Sequence, residues 1–278
     1  MFWNVLLLET DKIFKRALLW IELAILVVII IGIDLIQYFI IRLLPSSAAQ
    51  PLLASLTWPN GLENAAQFAE AHSLGGILLV VLLSLITAQE YSWRTYHLWL
   101  GRGISRPVLL GAKCLAVLVA ALLVVVITVI TSGLVTGVLT LVVKGSLPLQ
   151  QVNFTHFASN ILIVYYGLLP YLALAFVLSI LSRSVAVALS ISLAFLLLVE
   201  GVVYTALTLI RGVAAQLVQY LPEGLEAALQ RTTQPSTTPN ILSVPYPPPL
   251  VAVLCIACYV LVFVGLGFWR FFRQNFTD

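Results

Sequence analysis

Apolar positions run through most of this chain in stretches long enough to cross a hydrocarbon core, and polar residues gather in a few interruptions. A crossing takes about 20 predominantly apolar residues at about 1.5 Å each. Six segments meet that requirement, approximately residues 17–43, 74–89, 110–143, 160–181, 185–209 and 249–270. The second is short and borrows interfacial residues from His72 and Ser73 or from Gln89 to Trp93. The third exceeds one simple crossing, which predicts a strong tilt or first turns lying in the interface. Only "LSRSV" separates the fourth from the fifth, so these two are predicted to be antiparallel neighbours. Ahead of the first span, "LLLETDKIFKRALLW" has the pattern of an amphipathic interfacial helix.

The interruptions carry helical signals of their own. Residues 45–73 contain "WPNGLENAAQFAEAHS", where Asn60 is placed to cap a short helix running toward His72. In residues 210–248, Val213, Leu217, Tyr220, Leu221, Leu225 and Leu229 recur at helical spacing, broken by Pro222. That pattern predicts two short amphipathic helices resting on or dipping into the outer leaflet before the last span. The following "RTTQPSTTPNILSVPYPPP" reads as a solvated linker. The expected fold is an all-α integral membrane protein, a single transmembrane domain over residues 1–278 with no internal repeat.

Composition strengthens this picture. Hydrophobic residues make up 61% of the chain and charged residues 9%, against about a quarter charged in soluble domains. The bilayer is therefore the expected solvent, and the net charge of +3 gives no reason to expect a nucleic-acid partner. Its distribution is more informative. With a cytosolic N-terminus, the inside carries Lys12, Lys15, Arg16, Arg94, Arg102, Arg106, Lys113, Arg183, Arg270 and Arg273. The outside carries Arg42, Lys144, Arg211 and Arg231. This positive-inside bias predicts a multi-pass protein of the plasma (inner) membrane with both termini cytoplasmic. The N-terminal charges split a short apolar run from a long one, unlike a cleavable signal peptide.

Familiar catalytic patterns do not occur. The chain has no Gly-Lys dipeptide, and so no G-x-x-x-x-G-K-[ST] phosphate loop; H-E-x-x-H and G-x-S-x-G are missing too. No enzyme activity, cofactor or metal site is expected of this chain alone. His72, His97 and His156 are far apart in sequence, and Cys255 and Cys258 lie in an apolar run without a second pair, as packing residues would.

Charges within spans are costly and usually face protein or water. Glu22 lies close enough to the inner interface to be solvated, and Asp34 is placed to pair with Arg42 near the outer edge. Glu200 is the deepest, with Tyr204 at i+4 as a possible hydrogen-bond partner. These groups either line a substrate or proton path or make structural hydrogen bonds between spans. In "TSGLVTG", Gly133 and Gly137 stand four apart and make a candidate face for close helix packing, including a dimer. Pro170 predicts a kink in the fourth span, and "NFT" at Asn153 matches a glycosylation triplet.

The most unusual interruption is "AQEYSWRTYHLWLGRGISRPVLLGAKCLA", residues 88–116. Residues 91–100 suit a short helix with Trp93, Tyr96, His97, Leu100 and Ile104 on one stripe. Gly101 and Gly103 are placed to end it, and Pro107 suits the first turn of the next helix. The result is a rigid, basic, aromatic turn at the inner face, either a membrane-surface anchor or a docking element for a cytosolic partner.

This stretch resembles the segment after the second span of ABC-2-type exporter permeases, approximately E-Y-x-x-G-T-x-R-x-L-L-x-R-G-x-S-R-x-x-L-L-x-A-K. Glu90, Tyr91, Thr95, Gly103, Ser105, Arg106 and Lys113 match in place, while Arg94 replaces a common glycine and His97 a common arginine. Glu9, Lys12 and Arg16 also match that family's N-terminal connecting helix. The resemblance implies a permease that works beside a second copy or a paralogue, above separate ABC ATPase subunits that hold ATP and Mg. Residues 90–106 would form the coupling helix, with Glu90, Trp93, Arg94, His97, Arg102 and Arg106 as coupling residues. The implied activity is export of a hydrophobic or amphipathic substrate, with membrane lipid as the surrounding partner. A non-transport membrane anchor of a redox or other enzyme complex is the alternative from another class. An ion-coupled transporter using Glu200 is a third.

Overall fold

The computed structural model describes residues 2–93, 95–209, 213–233 and 246–274. Among these residues all regular structure is helical, and six helical stretches are long and apolar enough to cross a membrane: Ala17–Leu43, Asn60–Ser92, Arg106–Lys144, Phe154–Ser182, Val185–Leu209 and Pro249–Phe272. The physical reason is general. Lipid offers backbone groups no hydrogen-bond partners, so a helix that satisfies its own is favoured there.

The chain opens with α1 (Phe2–Lys15), whose buried face of Val5, Glu9 and Ile13 packs on α7. Its opposite face exposes Trp3 and Leu7, the pattern of a helix lying in the membrane interface. Extended backbone at Arg16 separates it from the first span, α2 (Ala17–Leu43). Next come α3 (Ser46–Leu56), α4 (Asn60–Asn64) and a 3₁₀ turn (Ala65–Ala69), which lead into α5 (Leu74–Ser92). Pro59, not Asn60, occupies the position before α4, and no side chain caps that helix. Backbone carbonyls of Thr57 and Pro59 take the first N–H groups instead, at 2.9–3.2 Å.

After the short α6 (Thr95–Gly101), Gly103 turns the chain at φ +80°, and α7 (Arg106–Lys144) begins with Pro107 in its first turn. At 39 residues α7 is about 58 Å long, about twice a hydrocarbon core. The surplus is used at both ends: its first turns pack under α1, and its last turns receive the loop around Trp58. Gly145, at φ +74°, ends it with an N–H bond to the Leu141 carbonyl.

Helix α8 (Phe154–Ser182) runs continuously through Pro170. Asn153 caps it by accepting from the His156 N–H at 3.1 Å, so this asparagine has a structural task. A two-residue turn leads into the fifth span, built from α9 (Val185–Ala194), a π-helical segment (Phe195–Tyr204) and α10 (Thr205–Leu209). Helices α11 (Val213–Val218) and α12 (Pro222–Thr233) are divided before Pro222, as the pattern predicts. Their placement differs from a purely superficial one: Leu225, Ala228 and Leu229 of α12 are buried against α8 and the last span, α13 (Pro249–Phe272). The predicted linker at 234–245, and Arg94 and Arg211, lie outside the described residues.

The main core joins α1, α2, α5, α7 and α8 through residues such as Leu19, Leu83, Leu109, Leu168 and Phe176. Leu254, Leu261 and Leu266 of α13 point outward, as lipid-facing residues do. Cys255 and Cys258 on this helix are free thiols. Arg106 donates to the Phe272 carbonyl at 2.6 Å, and Tyr91 to Gln274 Oε1 at 3.1 Å. These contacts place the C-terminal end of α13 against the end of α5 and the start of α7, at the same end of the bundle as α1, as an even number of crossings requires. Hereafter this is the terminal end of the bundle, and α3, α4, α11 and α12 lie at the far end.

Candidate functional site

At the terminal end, α5 delivers Glu90 into the core because it continues the stripe of Leu83 and Ile86 at three- and four-residue spacing. Burial of a lone carboxylate there would be costly. Lys113 of α7 lies 2.7 Å from Glu90 Oε1 and 2.7 Å from Glu9 Oε2 of α1, and is itself 1% exposed. Lys12 closes the group by pairing with Glu9 and reaching Glu90 at 3.4 Å. Two carboxylates and two ammoniums thus tie three helices together. Burial pushes the Glu9 carboxyl up, but Lys113 and Lys12 outweigh it and hold Glu9 below the usual value of 4.5.

The segment predicted to dock a partner is rooted in this cluster. Tyr96 is buried between Tyr91 and Phe271, with ring centroids at 4.6 and 5.3 Å. Lys12 lies over the Trp99 ring at 4.8 Å, Arg16 over Trp93 at 5.0 Å, and Arg16 donates to Gln89 Oε1 at 3.2 Å. The outer surface is different: Trp93 is 59% exposed and Leu98 63%, with the exposed Arg102 flanking Trp99. His97 is half-buried.

The structure therefore divides the predicted coupling residues. Trp93 and Arg102 face outward. Glu90 does not: it is a member of the buried cluster. Arg106 is tied to the chain itself, because its guanidinium supplies donors to the last carbonyls of α13. The predicted single stripe is likewise broken, since α5 ends at Ser92 and α6 starts only at Thr95. Tyr96 turns into the core while Trp93 stays outside.

A different chemistry occupies the far end. His72, just before α5, Glu200 in the middle of the π-helical segment and Glu223 in the first turn of α12 bring one ligand atom each within 4.8 Å of one another. His72 Nε2 is 3.6 Å from Glu200 Oε2 and 3.8 Å from Glu223 Oε2. Tyr171 of α8 donates to Glu200 Oε2 and lies edge-on to His72 at 5.7 Å. Behind them Glu226 is packed against Gly167 and, with Glu70, against Gln230. Burial, with Glu70, Glu200 and Glu223 as neighbours, holds Glu226 well above the usual carboxylate range; burial raises Glu223 to about 7. Among the described residues no lysine or arginine pairs with any of these four carboxylates.

Several expectations about the intramembrane groups are corrected here. Glu200 bonds Tyr171 of another span, and Tyr204 instead donates to Gln219 Oε1 at 3.2 Å. Both side chains are buried, and each finds a partner on another element, Tyr171 on α8 and Gln219 just after α11, in place of the other. Asp34 accepts from Ser132 Oγ at 3.2 Å and does not pair with Arg42, which lies over Tyr38 at 5.0 Å. Eight residues place Arg42 about 80° around the helix from Asp34, off the buried face. Asp34 lines a polar cavity of about 400 Å³ with Gln37, Gln67, Ser132 and Thr136. Glu22 is buried beside Leu19, Leu78, Leu82 and Val124 instead of being solvated, because the neighbouring helices extend past its level.

Gly133 and Gly137 belong to no free dimer face. Leu62 sits against the first, and the Trp58 indole lies across the second while donating to the Gly133 carbonyl at 3.2 Å. Small residues here admit the far-end loop of the same chain.

Sequence spacing missed the convergence of His72 with Glu223, between which all of α5 to α11 intervene. One signal was available: Glu226 stands between Leu225 and Leu229 on the apolar stripe of α12, an uneconomical place for a charge without a partner.

The family described as "Protein of unknown function (DUF2705)" matches residues 56–277, well over half of the chain. Among curated proteins none matches at a significant level. The chain belongs to the DUF2705 family, and it is a multi-pass membrane protein by its six candidate spans.

Proposed function

We propose that this DUF2705 member is the membrane-spanning subunit of an ATP-driven exporter, and that α6 transmits force from a separate ATPase subunit. The terminal end is then cytosolic, in a plasma (inner) membrane, in keeping with the cationic residues collected there. The observation that carries the proposal is the mechanical design of residues 90–106. Their root is fixed by the Glu9–Lys12–Glu90–Lys113 cluster and the Tyr96 stack, while Trp93, Leu98 and Arg102 are held outward.

Exposed tryptophan and arginine on a rigid support are the residue types that dominate protein interfaces. A lipid anchor would gain little from a buried four-charge brace, because a surface helix needs only an apolar face and positive charge. A force-bearing element does need a stiff root. Lys113 connects that root to α7, which spans the full height of the bundle and contacts the far-end loop through Trp58. Tilting of α7 would therefore change the polar cavity at Asp34, which is lined from both α2 and α7. A hydrophobic or amphipathic substrate suits apolar spans meeting such a polar mouth. ATP and Mg belong to the ATPase, and a second permease chain completes the path.

Affinity purification of the tagged chain from its native membranes tests this. Recovery of an ATPase subunit that is lost on combined Trp93→Ala and Arg102→Glu substitution is the expected result. Recovery of an intact complex with no ATPase, or with a cofactor-bearing enzyme subunit, would overturn the proposal.

A further inference from the structure

The far-end cluster is chemically incomplete as the chain alone builds it. Glu200 is 0% exposed, yet its Oε1 has no hydrogen-bond partner. His72 Nε2 and Glu223 Oε2 are buried atoms without one as well. All three residues converge on one point from three separate elements. The separations of 3.6 and 3.8 Å are too long for hydrogen bonds within the group. Proton sharing alone would draw these oxygens and the imidazole nitrogen to within about 3 Å. A tetrahedral ion with ligands at roughly 2.0–2.2 Å instead holds them about 3.3–3.6 Å apart.

We propose that His72, Glu200 and Glu223 form a binding site for a divalent transition-metal ion of the zinc class, just beneath the far-end surface. This does not depend on the exporter proposal, because no ATPase or substrate enters it.

The ligand chemistry favours such an ion. Imidazole nitrogen with two carboxylate oxygens suits Zn²⁺ better than Ca²⁺ or Mg²⁺, which take oxygen ligands almost exclusively. The surroundings also orient the ligands as metal sites require. Tyr171 donates to Glu200 Oε2, and the Leu196 carbonyl is an acceptor for the His72 ring, leaving Nε2 with its lone pair for the metal. His72 and Glu223 have side chains 27% and 28% exposed, so the site lies just beneath the far-end surface while its ligand atoms are themselves buried. The positive charge compensates a group of carboxylates that no lysine or arginine among the described residues pairs with. Because the three ligands come from the start of the second span, the fifth span and α12, a bound ion pins α12 to the bundle.

The test uses the full-length protein in detergent, stripped with a chelator and titrated with Zn²⁺, Co²⁺, Mg²⁺ and Ca²⁺. Expected are one Zn²⁺ per chain by calorimetry, a rise in Tm with Zn²⁺, and an intense visible Co²⁺ spectrum. Mg²⁺ and Ca²⁺ should produce none of these. Glu223→Gln, a partly exposed change, should keep the metal-free Tm and weaken Zn²⁺ binding by about 100-fold. His72→Ala should abolish the Co²⁺ spectrum, and His156→Ala should leave it intact. No stoichiometric Zn²⁺ binding, or binding unchanged in Glu223→Gln and His72→Ala, would overturn the assignment. So would equal binding of Mg²⁺. If Glu200→Gln fails to fold, the other two variants still decide the matter.

Discussion

At the terminal end of the bundle Glu9 and Glu90 are matched by Lys113 and Lys12, and the group is closed to solvent except at Lys12. At the far end Glu200 and Glu223 share one histidine, Glu70 and Glu226 lie behind them, and no ammonium or guanidinium among the described residues joins the four. Both clusters bury carboxylates, and both join elements distant in sequence. The first is charge-balanced within the chain, although Glu90 Oε2 has no hydrogen-bond partner, so it can act as a fixed joint. The second requires a proton or a cation from outside, so its state responds to what the solvent supplies. Neutral, fixed groups transmit force; incompletely compensated ones bind.

The largest expected effect comes from unbalancing the complete cluster. Lys113→Met leaves Glu9 and Glu90 buried without their shared cation, and should destabilise the protein by about 3–5 kcal/mol. Restoring neutrality with Glu90→Gln in the same chain, which leaves the Lys12–Glu9 pair, should recover much of that loss. Thermal unfolding in detergent measures both. A loss below about 1 kcal/mol for Lys113→Met would mean that the terminal cluster is no firmer than a surface pair.

A smaller effect is expected where packing, not charge, holds the far end. A Cβ at Gly167 would lie 2.7 Å from Glu226 Cδ, so Gly167→Ala must displace that buried side chain, on the helix that carries Glu223. Overpacking of this kind costs about 1–3 kcal/mol. It should also weaken Zn²⁺ binding, because α12 carries Glu223. Unchanged Tm and unchanged binding together would detach the far-end cluster from its seat on α8.

Acid should separate the clusters further, with a smaller change than Lys113→Met. Glu9 faces Lys12 on its own helix, Lys113 on α7, Glu90 on α5 and the Tyr96 ring on α6. Its folded value lies below its ordinary 4.5, so its contribution is present above pH 4.5 and is lost as pH falls through the folded value. Wild-type unfolding followed below pH 4.5 should show a decline that Glu9→Gln lacks. An identical decline in both proteins would place the acid sensitivity elsewhere.

Much of the architecture was legible because lipid simplifies the code. Long aliphatic runs such as 17–43 and 249–270 can only be helices, and Gly103 with Pro107 marks the turn at the terminal end. The two clusters were legible to different degrees. Lys113 and Glu90 stand in one short motif, but their pairing with Glu9 depends on how α1 lies against α7. His72, Glu200 and Glu223 carry no spacing signal at all, since a loop, a span and a short helix bring them together. The missed partners of Glu200 and Tyr204 come from tertiary packing: Tyr171 on α8 and Gln219 beside α11 reach them first, and i, i+4 counting sees neither. Asp34 and Arg42 failed for a related reason, since closeness along a helix says nothing of facing.

The smallest stability effect carries the sharpest functional consequence. Arg102 is exposed, flanks Trp99 and has no part in the buried cluster. Arg102→Glu should therefore change unfolding by no more than about 0.5 kcal/mol, as surface substitutions usually do. If α6 receives force from a cytosolic ATPase, the same charge reversal should nonetheless remove most of the permease's stimulation of that ATPase in reconstituted membranes. On the same reading Lys113→Met should lower stimulation too, but through loss of the joint, and so with loss of Tm. The comparison separates a contact from its support. Stimulation that survives Arg102→Glu with unchanged Tm would make the exposed face of α6 a membrane anchor, leaving the terminal cluster as a structural joint with no load to carry.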